Sequence, residues 1–275
     1  MNQEFVDKLY RYHKCWQSGA LADCFGMTKD PTSCYMFVMR YYENGNLYSY
    51  LEESMGILCW RDIVDMLWSI STGLNFIHEH NLVHGNLHGG NVLVETKMDS
   101  IDTKIADTGL YGPIDKQTSS QQIYGVVPFV APEVFNGKIL TKESDIYSFG
   151  MIMWMLSAGL RPYYDRPHDK QLIQEICSGL RPNVIDGTPI VYSSLMLQCL
   201  DTNPSNRPTA SQLYECLANW ISAICDPNPS DLSNQFDGAE EIKLANLENS
   251  NLNILPCHER AIYSSRPLNF SDTGS

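Results

Sequence analysis

The chain has 275 residues, 43% of them hydrophobic, with 32 acidic against 19 basic side chains and a formal net charge of −13. That length accommodates one large domain or two small ones, and the apolar content supports a sizeable core. The acidic balance argues against nucleic acid, whose phosphates need a basic footprint, and against docking on anionic membranes.

The nine cysteines are scattered, with no C-x-x-C pair. This favours reduced thiols in a cytoplasmic chain over a disulfide framework or a zinc site. The start, "MNQEFVDKLYRYHKC", lacks the apolar stretch of a signal peptide. The most apolar run, Phe149–Leu156, is too short to cross a membrane.

Three parts follow in chain order. Residues 1–43 begin with a polar amphipathic stretch. Then "CFGMTKD" and "CYMFVMRYY" read as short strands around a turn at Lys29-Asp30-Pro31. From residue 44 to about 225 the pattern is mostly helical. Trp60, Ile63, Val64, Leu67, Ile70, Leu74 and Ile77 recur at helical spacing and predict a long helix over Trp60–His80 with one buried face. The run Ser144–Ala158 is apolar nearly all round, which predicts a helix at the centre of a domain. Leu172, Ile173 and Ile176 mark another helix. Leu195–Leu200, and Leu213 with Leu217 and Ile221, mark two more. After "CDPNPSD" the composition turns polar and acidic, so residues 226–275 are expected to be a largely disordered tail, with one amphipathic helix possible in "AEEIKLANLENSN".

Five motifs occur in order between His84 and Arg207. "LVHGNLHGGNVLVE" holds His84, Leu87 and Asn91 at the spacing of the kinase loop H-R-D-L-x-x-x-N, with Gly85 and Asn86 where that loop has Arg and Asp. "KIADTGLY" places Asp107-Thr108-Gly109 where a D-F-G triplet is needed. "YGVVPFVAPEVF" contains Ala131-Pro132-Glu133 at the distance of A-P-E. "ESDIYSFGMIMW" with Asp145 and "NPSNRPTA" with Arg207 follow. Together they resemble the protein kinase superfamily, in its serine/threonine, tyrosine-kinase-like group, over about Lys8 to Ile224. The triplet His84-Gly85-Asn86 also resembles the loop of the Janus-kinase pseudokinase domains.

The resemblance implies an α+β, protein-kinase-like fold with a mostly helical C-terminal lobe and a small N-terminal lobe reduced to one helix and about two strands. It implies ATP and Mg²⁺ as cofactors, with weak binding. Met39 is the expected gatekeeper, with Arg40 and Tyr41 opening the hinge and Leu93 beneath the nucleotide. Asn91 and Asp107 are the metal ligands, oxygen donors suited to a hard cation. Taken singly, Asn91 reads equally well as a loop-capping amide and Asp107 as a turn residue before Gly109. Asn86 stands at the base position, where an amide accepts a hydrogen bond but cannot take the proton. His88 stands where many members carry the Lys or Arg that meets the transferring phosphoryl group.

Other resemblance-implied roles are structural. His84 is expected to buttress the Asp-Gly motif. Glu133 and Arg207 are expected to form a buried ion pair, and Asp145 to accept bonds from the catalytic loop backbone. A helix-terminal carboxylate is the plainer reading of Asp145. Thr118, Ser119, Ser120 and Tyr124 lie in the activation segment. Ahead of the hinge no G-x-G-x-x-G and no V-A-I-K-like strand fits, and in "EFVDKLYRYHKC" the position of the partner Glu falls on Lys8.

Two functions compete. One is a catalytically impaired kinase domain that serves as a binding or regulatory module. The other is an active ATP-dependent serine/threonine kinase whose small lobe is incomplete in this chain. A product with no stable fold is the third reading. The apolar small-lobe strands predict an edge covered by self-association or a protein partner.

Overall fold

The structure is a computed structural model that describes residues 19, 21–33, 35–97, 100–106, 123–249 and 256–268. The first ladder is antiparallel, β1 (Cys24–Lys29) against β2 (Tyr35–Met39), as the two apolar runs predict. The segment "EFVDKLYRYHKC", with Lys8, lies outside the described residues.

A short helix, α1 (Leu47–Glu53), starts at Asn46, whose side chain accepts from the backbone of Tyr48 and Ser49. That caps two donors a helix start leaves open. The long helix α2 (Trp60–Glu79) follows the predicted span and buries Ile63, Val64, Leu67, Ile70, Leu74 and Ile77 on one side. A hairpin comes next, β3 (Val92–Lys97) with β4 (Ser100–Ile105). It departs from the mostly helical expectation for residues 44–225. Val92 and Val94 alternate inward and are fully buried, the period-two pattern of a strand.

Beyond β5 (Ile123–Gly125) and a short 3₁₀ turn comes α3 (Pro132–Phe135), and then α4 (Lys142–Ala158). Thr141 and Ser144 close a reciprocal capping box at the start of α4. Every residue from Ser144 to Ser157 is buried, as an all-round apolar helix requires. The helices α5 (Lys170–Cys177), α6 (Ile190–Cys199) and α7 (Ala210–Cys225) complete a core built around α2 and α4.

The last part corrects the expectation of a largely disordered tail. Asp231–Asn249 forms α8, and Arg266–Leu268 forms β6, which pairs antiparallel with β5. Polar composition hid an apolar stripe: Phe236 and Ala239 are buried, and Leu232 packs against the same core. Phe236 meets Trp60 and Trp220 edge-on or tilted, and Glu240 Oε2 accepts the Trp60 N–H at 2.7 Å. That carboxylate sits at the positive end of α2. Among the described residues no helix is long and apolar enough to cross a membrane.

Candidate active site

The site is assembled on the loop between α2 and β3. Asp145, buried in the first turn of α4, organises it. Its carboxylate accepts the backbone N–H of His84 at 2.8 Å and of Gly85 at 2.8 Å, and it meets His78 Nε2 at 2.9 Å. Hydrogen bonds to an ionised acceptor are about twice as strong as neutral ones. Gly85 holds φ at +72°, a backbone shape that side chains disfavour. Asp145 therefore does more than cap its own helix: it fixes the path of the loop.

His84 is fully buried. The Asn86 N–H donates to its Nδ1 at 3.2 Å, so Nε2 carries the proton and donates to the Ala106 carbonyl at 3.2 Å. The ring thus ties the loop to the residue before Asp107. Asp107, Thr108 and Gly109 lie outside the described residues, as do Thr118, Ser119 and Ser120.

His88 is also buried. Gly90 N–H donates to its Nδ1 at 3.1 Å, which leaves the proton on Nε2. Burial, with a smaller contribution from nearby His84, pushes this imidazole down to about 3, so it is neutral at physiological pH. Its ring stacks on Tyr48 at 6.0 Å. Gly89 lets that tyrosine close in, because a Cβ there would meet the Tyr48 ring at 2.5 Å.

Asn86 is where sequence reasoning saw only half the arrangement. Its carbonyl accepts from Asn91 Nδ2 at 2.9 Å. Its side chain is engaged by Ser265, a residue that reasoning missed. Asn86 Nδ2 donates to Ser265 Oγ at 2.8 Å, and Ser265 Oγ donates to Asn86 Oδ1 at 3.0 Å. His88 Nε2 reaches the same hydroxyl at 2.9 Å. The signals in that stretch were Ile262, Tyr263 and Leu268, large apolar residues among mostly polar neighbours.

The hinge side is more open. Arg40 N–H donates to the Asp23 carbonyl at 3.0 Å, and the Arg40 side chain pairs with Glu95 and Asp23. Tyr41 and Met39 are exposed. Leu93 packs against Ala22, Tyr42 and Ala106, which makes a small apolar bed below the hinge. Among the described residues no cluster of three or more His, Cys, Asp or Glu side chains could hold a metal. Seven cysteines are free among those residues.

Away from the loop, Arg207 grips Glu133 bidentately, Nη1 to Oε1 at 2.7 Å and Nη2 to Oε2 at 2.8 Å. The other guanidinium donors reach the carbonyls of Glu143 and Asp201. Both side chains are buried, so the pair is desolvated but held by four hydrogen bonds from the guanidinium, the condition under which such a pair persists.

The family model for protein tyrosine and serine/threonine kinases matches residues 2–217. The chain is 31% identical over 186 residues to "Probable serine/threonine-protein kinase drkA" of Dictyostelium discoideum, covering 67% of this chain and 28% of that protein. It is 30% identical over 211 residues to mitogen-activated protein kinase kinase kinase 13 of Homo sapiens, covering 76% and 21%. It is 31% identical over 209 residues to ephrin type-A receptor 3 of Danio rerio, covering 74% and 20%. The chain belongs to the protein tyrosine and serine/threonine kinase family and has its α+β fold. It spans less than a third of the length of these relatives.

The family uses ATP, which supplies the transferable phosphoryl group, and Mg²⁺, which neutralises the charge on its phosphates. The donor chemistry around the loop is compatible with them. Asn91, pinned through Nδ2 to the Asn86 carbonyl, would offer Oδ1 to the cation, and Leu93 would bear on the nucleobase.

Proposed function

We propose that this kinase domain acts as a binding or regulatory module in which phosphotransfer is absent or very slow and Mg·ATP binds weakly, at Asn91 and Asp107 with the hinge Met39, Arg40 and Tyr41. The observation that carries the reading is the amide at position 86. It holds a serine hydroxyl by accepting its hydrogen, but it cannot remove the proton. A positioned base is typically worth about 10²–10⁴-fold in rate. The test is a Mg·ATP assay on a generic protein substrate, with nucleotide binding followed by thermal shift. Phosphorylation that disappears in Asp107→Ala overturns the proposal.

The competing function, an active ATP-dependent serine/threonine kinase completed by a further segment, draws its support from the relative in Dictyostelium discoideum whose name is a serine/threonine kinase. The same assay decides between them.

The β1–β2 ladder is the second binding feature. Phe25 is 71% exposed, and Met36 and Val38 are exposed as well. A two-stranded ladder with exposed apolar side chains is marginal alone and is a template for further pairing. Coverage by a second copy or by a strand-adding protein partner follows. Sizing across a dilution series checks it: a strict monomer at micromolar concentration, with these strands protected from hydrogen exchange, removes the proposal.

A further inference from the structure

A cavity of about 280 Å³ opens where α8 packs against the turn between α1 and α2, the end of α4 and the loop before α6. It shares no residue with the loop that carries Asn86. Backbone builds much of its wall. A Cβ on Gly56 would meet the Gly159 carbonyl at 2.5 Å, and one on Gly159 would meet the Gly56 carbonyl at 2.5 Å. A Cβ on Gly187 would meet Ile242 Cγ2 of α8 at 2.6 Å. All three glycines hold positive φ, a backbone shape that side chains disfavour. They bring four segments together without filling the space between them. Ile57, Leu160 and Trp60 line the same cavity, and so do Met55 and Ile185, both exposed.

Two hydrogen-bond donors on this wall have capacity to spare. Trp60 is only 4% exposed, and its indole N–H is buried with no partner. Its backbone N–H, by contrast, is taken by Glu240. Buried donors are nearly always bonded, to the protein or to a bound molecule. The Lys243 ammonium lies 5.5 Å from the Trp60 ring centre. One of its three N–H groups donates to the Leu58 carbonyl. Burial pushes Lys243 below the usual lysine range, and the charge of Glu240 opposes that shift only in part. A half-desolvated ammonium beside an unbonded N–H suits one negative charge.

The rest of the lining narrows the ligand. Asp186 stands on the same wall, and the chain has a formal net charge of −13. One lysine in that setting holds a monoanion and disfavours a polyphosphate. The volume lies just under the range of about 300–1,000 Å³ typical of small-molecule pockets, so the ligand is compact. Flat peptide walls at the glycines suit a flat ring. We propose that this cavity is a binding site for a compact aromatic monocarboxylate, with its ring among Ile57, Leu160 and the peptides of Gly56 and Gly159, and its carboxylate on Lys243 and the Trp60 indole N–H. The flexible Lys243 side chain, which lies over that indole, is the part that gives way on entry. Lys243 belongs to α8 and Trp60 begins α2, so an occupied cavity fastens α8 to the lobe.

The experiment titrates the full chain, ¹⁵N-labelled at tryptophan, with naphthylacetate and follows the indole N–H resonances. The Trp60 resonance, identified by its loss in Trp60→Phe, is expected to shift saturably. The neutral isostere naphthylethanol is expected to bind about tenfold more weakly. Lys243→Met, which keeps the side-chain bulk without the charge, is expected to lose that preference. No saturable shift of the Trp60 resonance at millimolar naphthylacetate, equal binding of acid and alcohol, or a preference retained in Lys243→Met overturns the proposal. If Lys243→Met unfolds, Ile185→Trp decides, because it adds bulk at an exposed position on the wall: lost binding supports the site, and unchanged binding overturns it. Tighter binding of the straight-chain decanoate than of naphthylacetate overturns the assignment of an aromatic ligand.

Discussion

The β1–β2 and β5–β6 ladders treat apolar residues in opposite ways. β1–β2 is the longer and richer in apolar side chains, yet every residue of β2 is exposed. β6 has three residues, one of them proline, yet Leu268 is buried among side chains from the 3₁₀ turn, α3 and α5. Hydrophobicity alone therefore does not decide burial. A strand is buried when a neighbouring face offers a cavity of matching shape, and the large lobe supplies one while the described small lobe does not. Burial free energy of roughly 25 cal/mol per Å² is available only where such a face exists.

The largest test of this contrast strikes the foundation under β5–β6. Glu133→Ala or Arg207→Ala leaves a buried charge without its partner. Each is expected to destabilise the fold by about 3–5 kcal/mol, with the double substitution costing less than the sum because the two side chains touch. Denaturant melts of the four proteins measure this. Additive losses would mean that the pair is not coupled, and the large lobe would lose its claim to be the anchored half.

Leu268→Ala sharpens the comparison locally. It is expected to weaken the closure of β6 by about 2–3 kcal/mol, seen as faster exchange of the Arg266–Leu268 amides with the α2 and α4 amides unchanged. A global loss would place β6 inside the cooperative core.

Acid reads the loop beside Ser265 through His88. Above pH 6.5 this ring is neutral in both the folded and the unfolded chain. Between 6.5 and about 3 only the unfolded chain takes up the proton, so folded stability falls as pH falls. The slope is about 1.4 kcal/mol per pH unit, or about 2 kcal/mol by pH 5. His168, lowered by burial as well, acts with the same sign. Urea melts at pH 7 and pH 5 should show a smaller pH dependence in His88→Gln than in the unsubstituted chain, and equal dependence would mean that the ring stays accessible to protons.

Much of the large lobe could be read from spacing because its helices repeat their apolar residues every turn, as Ile63, Leu67, Ile70 and Leu74 do in α2. The loop, Asp145 and the Glu133–Arg207 pair were legible as motifs whose order carried the information. The β3–β4 hairpin escaped because its connection, Met98-Asp99, contains no glycine or proline. The contact of Ser265 with Asn86 escaped for a different reason. The partners are 179 positions apart, and a serine in a polar stretch bears no periodicity. Contacts of that kind are set by the shape of a groove that exists only after folding, and the substitution at position 86 acquires its second partner only there.

The smallest effect is expected at the other ladder. Phe25→Ser removes a large aromatic side chain from a face that is already in water, so the native state loses little burial. The change in stability of the isolated chain is expected to stay within about 0.5 kcal/mol. If the β1–β2 face is an interface, the same substitution should act on association instead. Large exposed apolar patches mark interaction surfaces in general, and aromatic anchors at the centre of an interface typically cost more than about 2 kcal/mol when removed. The two quantities separate cleanly. Melts at low concentration report the fold, and sizing across a dilution series reports association. An unchanged melt with a weakened assembly assigns Phe25 to an interface. A loss of several kcal/mol in the melt would show that the face is covered within the chain, and the contrast between the two ladders would then disappear.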